Sequence, residues 1–229
     1  MTASVRMVER PASELASQLA GDVAGWLAEA IERRGMASLV VPGGSTPGLF
    51  LEALARHRID WSRVAVVPSD ERCVPLASPR SNEAMIRTRL LSGPAAAADV
   101  VSLLPAGEGA EALALVEARV RGLLPFDVCV LGLGEDGHTA SLFPVADRLA
   151  EALAEDAPAV LAITAPGVAE ARLSLSATVL RGAAHVCLLI AGQAKRAALA
   201  SALQAGPAEE MPVRAVLAGR RPVHVYWSP

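Results

Sequence analysis

The strongest constraint on the fold is a repeated alternation of short, unbroken apolar runs with longer segments of helical periodicity. Val-Cys-Val-Leu at 128–131 and Val-Cys-Leu-Leu-Ile at 186–190 put no polar residue on either face of an extended strand. Such strands must be buried on both faces, which is the condition of a parallel sheet between two helical layers. Strands are predicted at Ser38–Val41, Val64–Pro68, Asp99–Leu103, Asp127–Leu131, Ala159–Ile163, Ala184–Ala191 and Val223–Trp227. The run RLSLS at 172–176 alternates instead, and predicts an edge or one-sided strand. Helices are predicted near 11–34, 47–57, 80–92, 109–122, 193–205 and 212–218, with Pro47 suited to a first turn behind a Ser45 or Thr46 cap. The expected architecture is α/β: a doubly wound, mostly parallel, Rossmann-like sheet with helices on both faces. No linker or internal repeat divides the 229 residues, so 1–229 is expected to form one domain.

Composition narrows the class of function. The chain is 52% hydrophobic but only 3% aromatic, which favours Ala- and Leu-rich helices packed closely on the sheet. The net charge of −3 comes without a basic cluster, so no nucleic-acid partner is expected, and any phosphate must be held by a few placed residues. No apolar run approaches the roughly 18 residues of a membrane helix, and MTASVRMVERPASE has no apolar signal core. Cys73, Cys129 and Cys187 are odd in number and lack C-x-x-C spacing; a reducing, cytoplasmic setting is expected. None of the four histidines has metal-ligand spacing such as H-x-x-x-H, so no metal is expected.

Ligands of a doubly wound sheet sit at the carboxyl ends of its strands, and three loops and two later basic residues place polar groups there. Val41-Pro42-Gly43-Gly44-Ser45-Thr46-Pro47 joins a strand to a helix; Gly43 and Gly44 admit a ligand close to the backbone, and Ser45, Thr46 and the helix start offer donors to an anion. It is not a Walker A loop, because it has no lysine, and Pro47 breaks the G-x-S-x-G pattern of a nucleophile elbow. Ser69-Asp70-Glu71-Arg72 leaves the second strand, with Ser81-Asn82 at the start of the next helix; solvated loop charges and a plain helix cap would produce the same pattern. The third loop, Leu131-Gly132-Leu133-Gly134-Glu135-Asp136-Gly137-His138-Thr139-Ala140-Ser141-Leu142-Phe143-Pro144, follows a strand directly. Gly132, Gly134 and Gly137 fit G-x-G-x-x-G, but the loop lies past mid-chain, a poor context for dinucleotide binding. His138, alone among the histidines, sits in a glycine loop beside acidic and hydroxyl side chains, and a histidine suits proton transfer near neutrality. Arg172 and Lys195 lie near predicted strand ends, where a planar fork and a point charge can reach the same crevice and bind phosphate.

Five blocks together resemble the 6-phosphogluconolactonase family: PGGSTP at 42–47, SDERCVP with SN at 69–75 and 81–82, LGLGEDGHTASLFP at 131–144, RLSLS at 172–176 and GQAKRAAL at 192–199. The C-terminal VHVYW at 223–227 is also similar. The resemblance spans essentially the whole chain, and DGHTASLFP is its specific block. It implies a fold of the sugar-phosphate isomerase/lactonase type, no metal or organic cofactor, and a phosphorylated sugar lactone as substrate. It also implies that His138 activates water, with Asp70 orienting it or binding a sugar hydroxyl. Phosphate would be held by Gly43, Gly44, Ser45 and Thr46 with Arg72, Arg172 and Lys195, and Ser81-Asn82 would line the site. Two departures are visible: Arg80 stands where relatives often have an acidic residue, and Arg-Leu-Ser-Leu-Ser replaces Arg-x-Thr-x-Thr while keeping the hydroxyls. A glucosamine-6-phosphate deaminase would need an acidic side chain shortly after the histidine, which 139–144 lack. A non-catalytic sugar-phosphate sensor would lack His138 or carry a DNA-binding segment.

Overall fold

The computed structural model describes residues 4–107 and 109–229. In chain order the elements are β1 (Val5–Glu9), α1 (Ala12–Arg34), β2 (Ala37–Val41), α2 (Gly48–Leu54), β3 (Val64–Pro68), β4 (Asp70–Arg72), α3 (Asn82–Leu90), β5 (Asp99–Val100) and α4 (Ala110–Arg121). There follow β6 (Val128–Leu131), α5 (Leu149–Leu153), β7 (Val160–Ile163), β8 (Arg172–Leu175), α6 (Ala177–Arg181), β9 (His185–Ala191), α7 (Gly192–Ala202), α8 (Val213–Leu217) and β10 (Val223–Ser228).

Seven strands form one parallel sheet in the order β1-β10-β9-β6-β2-β3-β5. The unbroken apolar runs account for it. In β6, Val128 and Val130 join one core cluster while Cys129 and Leu131 join the other, and Leu39, Val41 and Val40 of β2 divide in the same way. One cluster lies under α1, α2 and α3; the other is covered by α4, α6, α7, α8 and a smaller sheet. Helix α1 stops where Gly35, at φ +80°, returns its N–H to the Ile31 carbonyl at 2.8 Å, the left-handed C-cap that glycine adopts most easily.

The path of the chain fixes where a ligand can bind. From β2 the sheet grows through β3 and β5; the chain then returns to the other side of β2 and grows through β6, β9 and β10. The reversal lies between β2 and β6, and a crevice opens outside the carboxyl ends of strands at such a switch point. The loops that leave β2 and β6 are the Gly43–Thr46 and Gly132–His138 loops.

Several expectations need correction. RLSLS is not an edge strand: β8 is the middle strand of a separate three-stranded antiparallel sheet, β4-β8-β7. The run 159–163 pairs there as β7 instead of joining the parallel sheet. Asp70–Arg72, read as a loop, forms β4, because β8 offers it an antiparallel partner that only the tertiary fold supplies. Strand β1 was not anticipated; it lies at the edge of the sheet, with three of its five positions exposed and the other two half-buried. The strand expected over Asp99–Leu103 shortens to Asp99–Val100, and the short helices α5 and α6 carried no sequence signal.

Candidate active site

A cavity of about 460 Å³ opens at the switch point, lined by residues of all three loops together with Arg172 and Lys195. Gly43, Gly44, Ser45 and Thr46 arrive from the end of β2; Asp70 and Arg72 come from β4, Asn82 from α3, His138 from the loop after β6, Arg172 from β8 and Lys195 from the first turn of α7. Ten of the eleven residues expected at a site therefore meet in one place. Ser81 does not line it. Its hydroxyl accepts from the Ala84 N–H at 3.0 Å as the cap of α3 and donates to Glu71 Oε2 at 3.0 Å, so the capping role won.

The imidazole of His138 is oriented from within its own loop. Asp136 Oδ1 lies 2.6 Å from His138 Nδ1 and also accepts the His138 backbone N–H at 3.2 Å. Burial pushes the Asp136 carboxyl up, but the hydrogen bonds and charge of His138 outweigh it and hold the group below the usual carboxylate range. An ionised Asp136 keeps the proton on Nδ1 and leaves Nε2 as the free lone pair of the neutral ring. Gly134 makes the arrangement possible, since a Cβ there would overlap both the His138 ring and the Asp136 carboxylate. Phe143 packs on the ring, with centroids 4.6 Å apart and planes inclined by 46°.

Asp70, expected to orient His138 or to bind a sugar hydroxyl, lines the cavity with its carboxylate held by two serines. Its Oδ2 accepts from Ser141 Oγ at 2.6 Å and its Oδ1 from Ser69 Oγ at 2.8 Å, while Ser141 N donates to Ser174 Oγ at 3.2 Å. Asp70 thus ties the histidine loop to the small sheet. Asn82 braces the anion-type loop: its Nδ2 donates to the Asp70 carbonyl at 2.8 Å, and its amide fills the space a side chain on Gly43 would need. Glu71, read as a loop charge, is fully buried and accepts the N–H groups of Asn82 at 2.8 Å and Glu83 at 2.6 Å, which neutralises the start of α3.

Arg72 and Arg172 stand directly opposite each other in the antiparallel β4–β8 register. Like charges in that relation repel. Burial and the Arg72 charge pull Arg172 below the usual guanidinium range, against the opposing pull of Asp70 and Glu71. Arg72 Nε and Arg172 Nε are both buried without a hydrogen-bond partner. Two adjacent guanidiniums with unused donors, beside a glycine-hydroxyl loop, form a site for a multiply charged oxyanion. Among the described residues, no group of three or more His, Cys, Asp and Glu side chains could hold a metal ion, and no helix is long and apolar enough to cross a membrane.

Sequence reasoning missed Asp136 and Phe143. The Asp-x-His spacing, in which an aspartate accepts the N–H two residues on, was the available signal for the first. Phe143 had none, because an aromatic followed by proline reads as packing.

Residues 10–227 match the family model described as glucosamine-6-phosphate isomerases/6-phosphogluconolactonase. The chain is 44% identical to a 6-phosphogluconolactonase of Rhizobium meliloti over 233 residues, covering 100% of both chains. It is 46% identical to one of Mesorhizobium japonicum over 226 residues, covering 96% of this chain and 93% of the relative. The crystal structure of a 6-phosphogluconolactonase from Shewanella baltica superposes with a TM-score of 0.92 at 37% identity, covering 100% of both chains. With a matching fold and relatives this similar along their full length, the chain belongs to the glucosamine-6-phosphate isomerase/6-phosphogluconolactonase family.

Proposed function

We propose that this protein hydrolyses 6-phospho-D-glucono-1,5-lactone to 6-phospho-D-gluconate, the second step of the oxidative pentose phosphate pathway, and that residues 1–229 form one domain carrying that activity. The observation that carries the reading is that His138, held by Asp136, lines the same cavity as the Arg72–Arg172 pair and the Gly43–Thr46 loop. The 6-phosphate binds the arginines, Lys195 and the loop, which places the lactone ring beside His138. His138 Nε2 takes a proton from water as the water oxygen attacks C1. The C1–ring oxygen bond then breaks, and the imidazolium returns the proton to the departing oxygen. Asp136 holds the ring and balances its transient charge. Opening an ester with water transfers no electrons, so the step needs no redox partner.

Asp70 is a holding residue in this scheme. Both its carboxylate oxygens accept serine hydroxyls, and it supports the loop that carries the base. A reducing cytoplasm is the compartment proposed. Cys129 and Cys187 sit buried on adjacent strands but face opposite core clusters, so they are built as free thiols.

The test is lactone hydrolysis with substrate made in situ by glucose-6-phosphate dehydrogenase and product read through 6-phosphogluconate dehydrogenase. A rate well above spontaneous opening is expected, with His138→Ala losing about 10²–10⁴-fold. Full activity in folded His138→Ala refutes the assignment of the base.

A further inference from the structure

The aromatic residues of this chain are few: three Phe, three Trp and one Tyr in 229 residues. Phe50, Phe126, Trp61, Trp227 and Tyr226 are buried in the two core clusters, and Trp26 packs against one of them. Phe143 belongs to neither cluster and packs against neither; it lines the cavity instead. Its ring lies 4.6 Å from the His138 ring, and the Arg172 guanidinium carbon lies 5.9 Å from the same ring centroid.

We propose that Phe143 is a positioning residue of the reaction: a strut between His138 and Arg172 that holds the imidazole in its working orientation and keeps the two cationic groups apart. The inference rests on the reading of His138 as the base. Asp136 fixes the Nδ1 edge of the imidazole, which leaves the Nε2 edge able to swing with the side-chain torsions. The tilted face of Phe143 removes that freedom, and aromatic pairs at this separation favour such inclined geometries. When His138 takes the proton from water it becomes a second cation beside the ring that Arg172 also approaches. An intervening π face meets both charges favourably, where water or an aliphatic chain offers less. Phe143 therefore couples the anion-binding end of the cavity to the reacting end: an arginine fixed by the substrate phosphate presses on the ring that sets the base.

The experiment compares Phe143→Ala, Phe143→Leu and Phe143→Tyr by steady-state lactone hydrolysis, with His138→Ala and the double variant His138→Ala/Phe143→Ala alongside. Phe143→Ala is expected to lower kcat about tenfold, the scale of a small misplacement of a reacting group, with KM changed less than about threefold. Phe143→Tyr should restore kcat and Phe143→Leu should not. The double variant should be no slower than His138→Ala, because Phe143 acts through the base. Wild-type kcat in Phe143→Ala, full rescue by leucine, or a change confined to KM each overturns the inference. The two readings fail separately: an active His138→Ala removes the base assignment, whereas an inactive His138→Ala beside a fully active Phe143→Ala removes only the strut.

Discussion

Replacing Asp136 by asparagine separates the charge of the Asp136–His138 pair from its geometry. Asp136 Oδ1 faces two donors, the His138 backbone N–H at 3.2 Å and Nδ1 at 2.6 Å. The backbone donor cannot become an acceptor, so the substituted side-chain amide turns its oxygen inward and Nδ1 keeps its proton. What is lost is the negative charge opposite the developing imidazolium. The Asp136 side chain is 53% exposed, so the field between the pair is screened by water. At an effective dielectric of roughly 40–80 and about 4 Å between charge centres, the loss is about 1–2 kcal/mol. Asp136→Asn should therefore lower kcat about 5–30-fold with KM nearly unchanged. Asp136→Ala loses the orientation as well and should fall roughly 10²-fold. Coupled lactonase kinetics read both, with circular dichroism to check folding. A loss in Asp136→Asn as deep as in His138→Ala would mean that the amide reverses and the tautomer is wrong. A loss below about twofold in both variants would refute the pair as the working base.

Other expectations lie outside the reacting groups. Glu71→Ala strands the N–H groups of Asn82 and Glu83 and the Ser81 hydroxyl in a buried place, and should cost about 2–4 kcal/mol in urea unfolding; a cost under about 1 kcal/mol would sink the capping role. His185 and His224 flank Trp26, and burial first, then neighbouring charges, hold both below the usual imidazole range. Because the folded state binds these protons less readily than the unfolded one, their contribution is present above about pH 6.5 and is lost as pH falls through the lowered folded values. The urea midpoint should drop between about pH 7.5 and 5, and drop less in the double variant His185→Gln/His224→Gln. Val145 is β-branched, 76% exposed and held at φ +61°, so Val145→Gly should gain about 0.5–1 kcal/mol in thermal melting, and a loss would show that its side chain packs in solution.

How much was legible before the structure depended on whether a residue's partner was near in sequence. The apolar runs at 128–131 and 186–190 announce two-faced burial by themselves, and the loops after β2 and β6 announce anion and proton chemistry by glycine and hydroxyl content. Asp70–Arg72 was opaque because its partner, β8, lies about a hundred residues on, and a polar three-residue strand has no periodicity to read. Glu71 was misread for a related reason: a buried carboxylate is legible only with the helix start it neutralises. Asp136 was within reach, two residues from the histidine, but its spacing is that of any turn. Phe143 was beyond reach, because what sets it apart is its absence from both cores.

The facing pair of Arg72 and Arg172 has a practical consequence for anyone handling the protein. Two guanidiniums across adjacent strands store repulsion whenever the cavity holds no anion, and any species that fits between them releases it. Binding confined to the native state raises apparent stability with the logarithm of ligand concentration. The melting temperature of this protein should then be partly a property of its buffer: phosphate or sulfate is expected to raise it and chloride to do so weakly, so that a scan across phosphate concentrations would double as a binding isotherm for the cavity.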